Sequence, residues 1–295
     1  MSGKDPVQAK ASAAALPYPR PITDREFSLF QSLIYQQAGI FLPPIKKTLV
    51  SGRLNKRLRE LGLDTFREYY ARVCEDKSGV EMALMLDAIT TNETHFFREP
   101  RHFEFLRDVL YPRWRQEARA GTRERNVRVW SAACSSGEEP YSLAMSLASD
   151  LCQDQPWDIH ILASDISNKV LESARRATWP MRRAEEIPTP LLKRYMLRGT
   201  GSQDGLMRAA PELRKLVETC YINLNDSQYP VSPGLDVIFC RNVLIYFDAD
   251  SRKGVINRLL DLLKPDGYLF LGHAESLSGH NRRVRSVAPA IYTHA

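Results

Sequence analysis

The apolar positions of this chain fall into two regimes. Through residue 90 they recur at helical spacing: Phe27, Phe30, Ile34 and Ala38, then Leu49, Leu54, Leu58 and Leu61, then Phe66, Tyr69 and Val73, then Met82, Met85 and Ile89. Local signals divide these runs into four helices. Thr23-Asp24-Arg25-Glu26 is a capping box, and Gly39 closes the first helix. Pro43-Pro44 breaks the chain, and Gly62 ends a second helix. Asp64 is placed to cap a third, and Ser78-Gly79-Val80-Glu81 reads as a second capping box. Residues 22–90 therefore read as a small all-helical domain, preceded by a polar, Ala- and Pro-rich stretch at 1–21 that reads as a mobile tail.

From residue 127 the period changes. Strand-like runs at 127–130, 159–163, 237–240 and 268–271 alternate with helical patterns at 139–151, 167–177 and 250–263. That alternation predicts a parallel sheet with helices on both faces. Residues 180–222 interrupt it. There, 191–197, a Gly-rich turn at 198–205 and 206–209 read as an inserted hairpin. A last strand is expected over 284–292, although Pro289 weakens part of it.

The stretch from Val127 to Met145 is a strand, a small-residue turn and a helix. Ala, Cys, Ser and Gly in the turn let a ligand approach the backbone, and Pro140 suits a first helical turn. The helix start carries Glu138 and Glu139. Two acids there would repel a phosphate, so the expected ligand is cationic or rich in donors. S-adenosylmethionine fits, with its sulfonium, ammonium and ribose diol. Asp165 ends the next strand, where an acid can accept both ribose hydroxyls; the alternative is a helix N-cap. Arg241, Asn242 and Tyr246 follow the buried run 236–240, at the open strand end where ligands of such sheets sit. Asn92, Thr94 and Arg98 lie in the segment joining the two regimes, and the planar fork of Arg98 suits a carboxylate. His273 follows a strand end and reads as structural.

Composition narrows the partners. The 295 residues carry a net charge of +6, which favours nucleic acid, a membrane surface or an acidic protein. Lys46, Lys47, Arg53, Lys56, Arg57 and Arg59 crowd the second helix, which makes it a candidate docking face. Five widely spaced cysteines form no CxxC pair, so neither a disulfide framework nor a metal site is expected. No apolar run reaches membrane-spanning length, and no signal peptide is apparent, so a cytoplasmic location is expected.

Taken together, these segments resemble the CheR family, the chemotaxis-receptor glutamate methyltransferases. The resemblance is carried by Thr91-Asn92-Glu93-Thr94-His95-Phe96-Phe97-Arg98-Glu99, by 130–142 with its Ser-Ser-Gly-Glu-Glu-Pro turn, by Ala163-Ser164-Asp165-Ile166, and by Phe239-Cys240-Arg241-Asn242-Val243-Leu244-Ile245-Tyr246-Phe247. Arg198-Gly199-Thr200-Gly201 and Gly272-His273-Ala274-Glu275 add to it, and it spans residue 22 to the C-terminus. It implies an α/β Rossmann-like class I methyltransferase domain over 91–295. A small antiparallel β-subdomain would be inserted at about 180–222, and a helical receptor-docking domain would occupy 22–90. It also implies that Asn92, Thr94, Arg98, Glu138, Glu139, Asp165, Asn223, Leu224, Arg241 and Asn242 contact the cofactor or its product. Arg98 and Tyr246 would lie nearest the reacting carboxylate. The implied substrates are methyl-accepting chemotaxis receptors, recognised through acidic methylation helices, with a C-terminal receptor peptide held at the β-subdomain and recruitment to receptor arrays. No metal, nucleic acid or membrane insertion is implied. Glu93 is a departure, since many relatives have a small or apolar residue there.

The implied reaction is displacement of the sulfonium methyl by a glutamate oxygen. A glutamate ionises near pH 4.3, so no general base is needed. Two rival readings remain at this level. One is a nucleic-acid methyltransferase, which the absence of an Asn-Pro-Pro-Tyr-like turn and of an aromatic-studded basic groove disfavours. The other is a non-catalytic regulator, which Arg98 and Tyr246 disfavour.

Overall fold

Helix signals in the first 90 residues produce a bundle of α1 (Asp24–Ala38), α2 (Lys47–Leu61), α3 (Phe66–Glu75) and α4 (Val80–Ile89) in the structure, a computed structural model that describes residues 21–277 and 281–295. The tail expected at 1–21 lies outside the described residues except for Pro21. Thr23 caps α1 with a reciprocal box to Glu26, and Gly39 closes it in the left-handed conformation. Phe30 sits at the centre of the bundle, stacked on Tyr69 and edge-on to Phe66 and Tyr70.

Two caps differ from expectation. Thr65, not Asp64, caps α3, in a box with Glu68. The Ser78–Glu81 box does not form: Gly79 is the N-cap without a side-chain bond, and the Glu81 side chain turns inward to Arg57 and the Tyr69 hydroxyl. A charged partner on α2 outcompetes the local cap.

Between the two regimes lies an unbroken helical stretch that carries no strong signal in the sequence. It comprises α5 (Pro100–Phe105), a π-helical segment (Leu106–Leu110) and α6 (Tyr111–Arg119). The sheet and its helices then follow in chain order: β1 (Asn126–Ala132), α7 (Glu138–Asp150), β2 (Asp158–Asp165), α8 (Asn168–Arg176), β3 (Thr178–Pro180), α9 (Thr189–Tyr195), β4 (Met196–Arg198), β5 (Leu206–Ala209), α10 (Pro211–Arg214), β6 (Val217–Tyr221), β7 (Leu235–Cys240), α11 (Ala249–Leu262), β8 (Leu263–Leu271), β9 (Val284–Ala288) and β10 (Ile291–His294).

The main sheet has the order β6-β2-β1-β7-β8-β10-β9. Its first five strands are parallel; β10 runs antiparallel to β8, and β9 pairs antiparallel with β10, so β10 alone runs against the others. The order reverses between β1 and β7, so the crevice at their carboxyl ends is where such a sheet receives a ligand. The central strand β7 is buried at every position, as a parallel strand covered on both faces must be.

The insertion is smaller than expected and differently built. It is a three-stranded antiparallel sheet of order β3-β5-β4. Most of the expected strand at 191–197 is helix α9, which starts at Thr189-Pro190 where proline is tolerated. Residues 217–221 belong to the main sheet as β6, paired in parallel with β2. An edge strand alternates polar and half-buried positions and carries little apolar signal. The expected last strand is a hairpin, β9 and β10, which turns at Pro289 and Ala290 (φ 59°).

Candidate active site

The base of the site is the loop after β1. Ala133 (φ 63°) and Ser135 (φ 51°) adopt the left-handed conformation, and the Cys134 N–H donates to the Ser164 carbonyl at 2.8 Å. The loop is thereby folded over the end of β2. Gly137 (φ 98°) opens α7; a Cβ there would meet the Ala174 Cα at 2.9 Å, so only glycine lets α7 start against α8.

The two acids at the start of α7 diverge. The Glu139 carboxylate accepts from the Ser131 hydroxyl (2.7 Å) and from the Arg241 guanidinium (3.1 Å), and it lines the cleft. Glu138 is buried and accepts from the Ser136 hydroxyl (2.7 Å), and it faces Arg183 (3.9 Å) outside the cleft lining. Glu138 is thus not placed to meet a ligand, because successive residues on a helix point about 100° apart. Asp165 faces the cleft with its carboxylate fixed by two backbone donors, Ser135 N–H (2.9 Å) and Ser167 N–H (3.0 Å). It is not the cap of α8; the Ser167 side chain takes that role. Burial raises the pKa of both Glu139 and Asp165, opposed by Arg241 and Ser131 for the first and by backbone N–H donors for the second.

The opposite wall comes from the domain junction. Asn92, Thr94 and Arg98 line the cleft with Glu139, Asp165, Arg241, Asn242 and Tyr246. The Asn92 carbonyl accepts from the Ser135 hydroxyl (2.8 Å) and the Thr94 carbonyl from Arg183 (3.1 Å). Arg98 rests one prong on the Glu93 carbonyl (3.0 Å). Phe97 (φ 51°) and Glu99 (φ 58°) flank it in the left-handed conformation, a strained pair that presents Arg98 to the cleft.

Arg241 joins the two walls. Its Nη atoms reach Glu139 (3.1 Å), the Arg98 carbonyl (2.6 Å) and Glu99 (3.2 Å). Glu99 also accepts from the Asn242 amide (3.3 Å) and faces His102 and His273. His102 is fully buried and pushed down to about pKa 3 by burial and by Arg241, so it is neutral. Glu275 shapes the turn after β7 by accepting from the N–H groups of Asn242 (2.7 Å), Gly272 (2.7 Å) and Ile245 (3.3 Å). Glu99, Ser131 and Glu275 are contributors that the reading of individual residues does not single out. Their signal is position only: Ser131 and Glu275 stand at or just after strand ends, and Glu99 ends the domain junction before α5.

Asn223 and Leu224 also line the cleft, but the Asn223 amide donates to the Gln37 carbonyl at 2.6 Å and its oxygen accepts from Asn225 N–H at 2.9 Å. Its side chain ties the two domains together. Leu224 is buried, and its carbonyl accepts from the Tyr229 hydroxyl and from Arg258.

The basic helix α2 is not the uniform docking face expected. Arg57 donates to Glu81 at 2.8–3.1 Å inside the bundle, with 17% of its side chain exposed. Arg53 turns to the carbonyls of Ile89 and Thr90 and to the Thr91 hydroxyl, and it lines the cleft. Lys47 pairs with Asp24 (2.7 Å) and Lys56 approaches Glu60 (3.8 Å). Lys46 is exposed at the cleft, and Arg59 is exposed and does not line it. Arg53 and Arg57 are therefore internal ties, because buried acids and open carbonyls of α4 claim their guanidinium groups.

The donors present suit S-adenosylmethionine. Glu139 offers charge to an ammonium, Asp165 offers acceptors to a diol, and three of the cations lining the cleft, Arg53, Arg98 and Arg241, are already engaged by carbonyls, Glu139 or Glu99. Among the described residues no helix is long and apolar enough to cross a membrane.

Comparison with known proteins agrees with this geometry. Residues 25–90 match the family described as "CheR methyltransferase, all-alpha domain", and residues 92–292 match "CheR methyltransferase, SAM binding domain". The chain is 42% identical over 273 residues to "Chemotaxis protein methyltransferase 2" of Pseudomonas aeruginosa, covering 92% of this chain and 94% of that protein. It is 41% identical over 271 residues to the "Chemotaxis protein methyltransferase" of Salmonella typhimurium, covering 92% and 90%. The corresponding protein of Borreliella burgdorferi is 36% identical over 272 residues, covering 92% and 94%.

Proposed function

Because the chain belongs to the CheR family of S-adenosylmethionine-dependent methyltransferases, we propose that it methylates glutamate side chains of chemotaxis receptors, giving methyl esters. The observation that carries this reading is that Glu139 and Asp165 line the same cleft as Arg98 and Tyr246. One pair is suited to a cationic donor, the other to an anionic acceptor. The nucleic-acid and regulator readings are not favoured, because the relatives that the chain matches over most of its length are chemotaxis methyltransferases.

Glu139, Asp165, Arg241, Asn92 and Thr94 would hold the cofactor, which supplies an electrophilic methyl when bound and leaves as S-adenosylhomocysteine. The acceptor glutamate is ionised at neutral pH, so no side chain has to remove a proton. The chain's own contribution is alignment and exclusion of water. Arg98 orients the acceptor carboxylate through its planar fork, held at an angle by Glu93 and by the two left-handed neighbours. Tyr246, half-buried on the turn that Glu275 fixes, orients it from the other side. Nη1 on the Glu93 carbonyl fixes the plane of the guanidinium and leaves its Nε and Nη2 donors for the acceptor. A receptor C-terminal peptide would pair with the inserted sheet, whose edge strand β4 exposes Leu197.

Labelled S-adenosylmethionine and receptor membranes, followed by mild base, test the reading. Label released by base is expected, because a carboxyl methyl ester hydrolyses and an N-methyl group does not. Arg98→Ala is expected to lower turnover at least about tenfold, or ~1.4 kcal/mol. Base-stable label, or label on RNA alone, would overturn the proposal.

A further inference from the structure

Two turns meet at the mouth of the cleft. The helical domain contributes 39–46, and the catalytic domain contributes 243–247. They are joined by backbone: the Phe41 N–H donates to the Tyr246 carbonyl at 2.7 Å, and Ile40 forms an isolated β-bridge with Phe247. Gly39 (φ 68°) permits the approach, since a Cβ there would meet the Asn225 amide oxygen at 2.6 Å and the Phe247 ring at 2.8 Å.

Outside this seam the chain exposes large apolar side chains that a surface turn does not require. Ile45 is 85% exposed, Phe41 55% and Ile245 47%. Ile45 stands on a short 3-10 turn held rigid by Pro43 and Pro44. Its neighbour Lys46 and the nearby Phe41 line the same cleft as Arg98 and Tyr246. Ile245 precedes Tyr246 in the chain. Several apolar groups beside one cation, at the lip of a carboxylate-binding cleft, are unusual for a solvated face.

We propose that Ile45, Phe41 and Ile245 form an apolar ridge that seats one amphipathic helix of the receptor, with Lys46 meeting its acidic side. The proposal rests on the function inferred above and names how its macromolecular substrate is gripped. The occupant is a helix that presents the acceptor glutamate to Arg98 and, one turn away at i±3 or i±4, apolar side chains to the ridge. Charge complementarity selects it: Lys46 stands exposed at the lip and the substrate bears carboxylates.

The test compares the wild-type full chain with the double variant Ile45→Ser/Ile245→Ser, using receptor membranes and labelled S-adenosylmethionine. The expected result is a KM for receptor raised about tenfold, which corresponds to ~1.4 kcal/mol. Turnover at saturating receptor and the Kd for S-adenosylmethionine should be unchanged. Lys46→Glu should raise the same KM in a salt-dependent manner, whereas the effect of the serine pair should persist at high salt. A receptor KM within twofold of wild type in the serine variant would overturn the ridge, while base-labile methylation by the wild type would leave the proposed function standing. A fall in cofactor affinity in the serine variant would also overturn it. Absence of base-labile label with the wild-type enzyme would remove both.

Discussion

At the scale of single residues, the site is governed by how few carboxylates sit in it and what surrounds each. Glu139 and Asp165 lie beside the cleft, and burial raises the pKa of both from the ordinary carboxylate value. The sign follows from linkage. Between the unfolded value, near pH 4, and the raised folded value, the cofactor-free protein holds more protons than the unfolded chain. These groups therefore subtract from stability as pH rises through that window. A bound cation reverses the shift, so binding releases protons and affinity falls on acidification. Calorimetric titration with S-adenosylmethionine is expected to show weaker binding as the pH falls through the raised folded values of these two carboxyls. Glu139→Gln is expected to flatten that dependence and to weaken binding at neutral pH by roughly tenfold. An unchanged pH profile in that variant would remove Glu139 from the cofactor's charge partners. The identity of these acids was legible at the start of α7 and the end of β2. Which of Glu138 and Glu139 faces the cleft was not, because that depends on the helix phase set by α7 packing on the sheet.

At the scale of elements, local sequence signals competed with partners from elsewhere in the fold. The Thr23 box formed because Glu26 meets no stronger claim on the cap donors; it also accepts from the Arg67 N–H. The box anticipated at Ser78 failed because Glu81 is worth more as the buried partner of Arg57 and Tyr69. Removing one member of such a pair leaves the other charge buried and alone. Arg57→Ala is thus expected to destabilise the helical domain by roughly 3 kcal/mol. Thermal or urea unfolding checks this, and a loss of under about 1 kcal/mol would make the pair a surface one. The same reasoning explains why α2 looked like a docking face: its basic composition was visible, but the carbonyls of Ile89 and Thr90 and the carboxylate of Glu81 were not visible as its partners. The short edge strand β6 was illegible for a related reason, since parallel pairing with β2 supplies its order while its own apolar pattern is weak.

At the scale of the whole molecule, the two domains share the site. The helical domain contributes Ala38, Phe41, Leu42, Lys46 and Arg53 to the cleft, and Asn223 on the catalytic side donates to the Gln37 carbonyl. Asn223→Ala removes that tie, at a cost of about 1 kcal/mol. It is expected to loosen the seam, raising the rate of proteolytic cleavage in the junction near Thr91 and weakening S-adenosylmethionine binding a few-fold. Cleavage and affinity equal to wild type would make the domain contact incidental to the site. The sequence by itself determined the helical-then-α/β order, the sheet class, the cationic character of the ligand and the family, because hydrophobic period, capping residues and the acidic turn after β1 are local properties. Only the tertiary structure decided which charges are spent inside the protein. Arg53 and Arg57 are ties within the helical domain, Arg241 is held between Glu139 and Glu99, and Asn223 is a domain clasp. The physical reason is that a side chain's role depends on the groups facing it across the fold. Those facing groups lie tens to hundreds of residues away, as Arg241 and Asn223 do from Glu139 and Gln37.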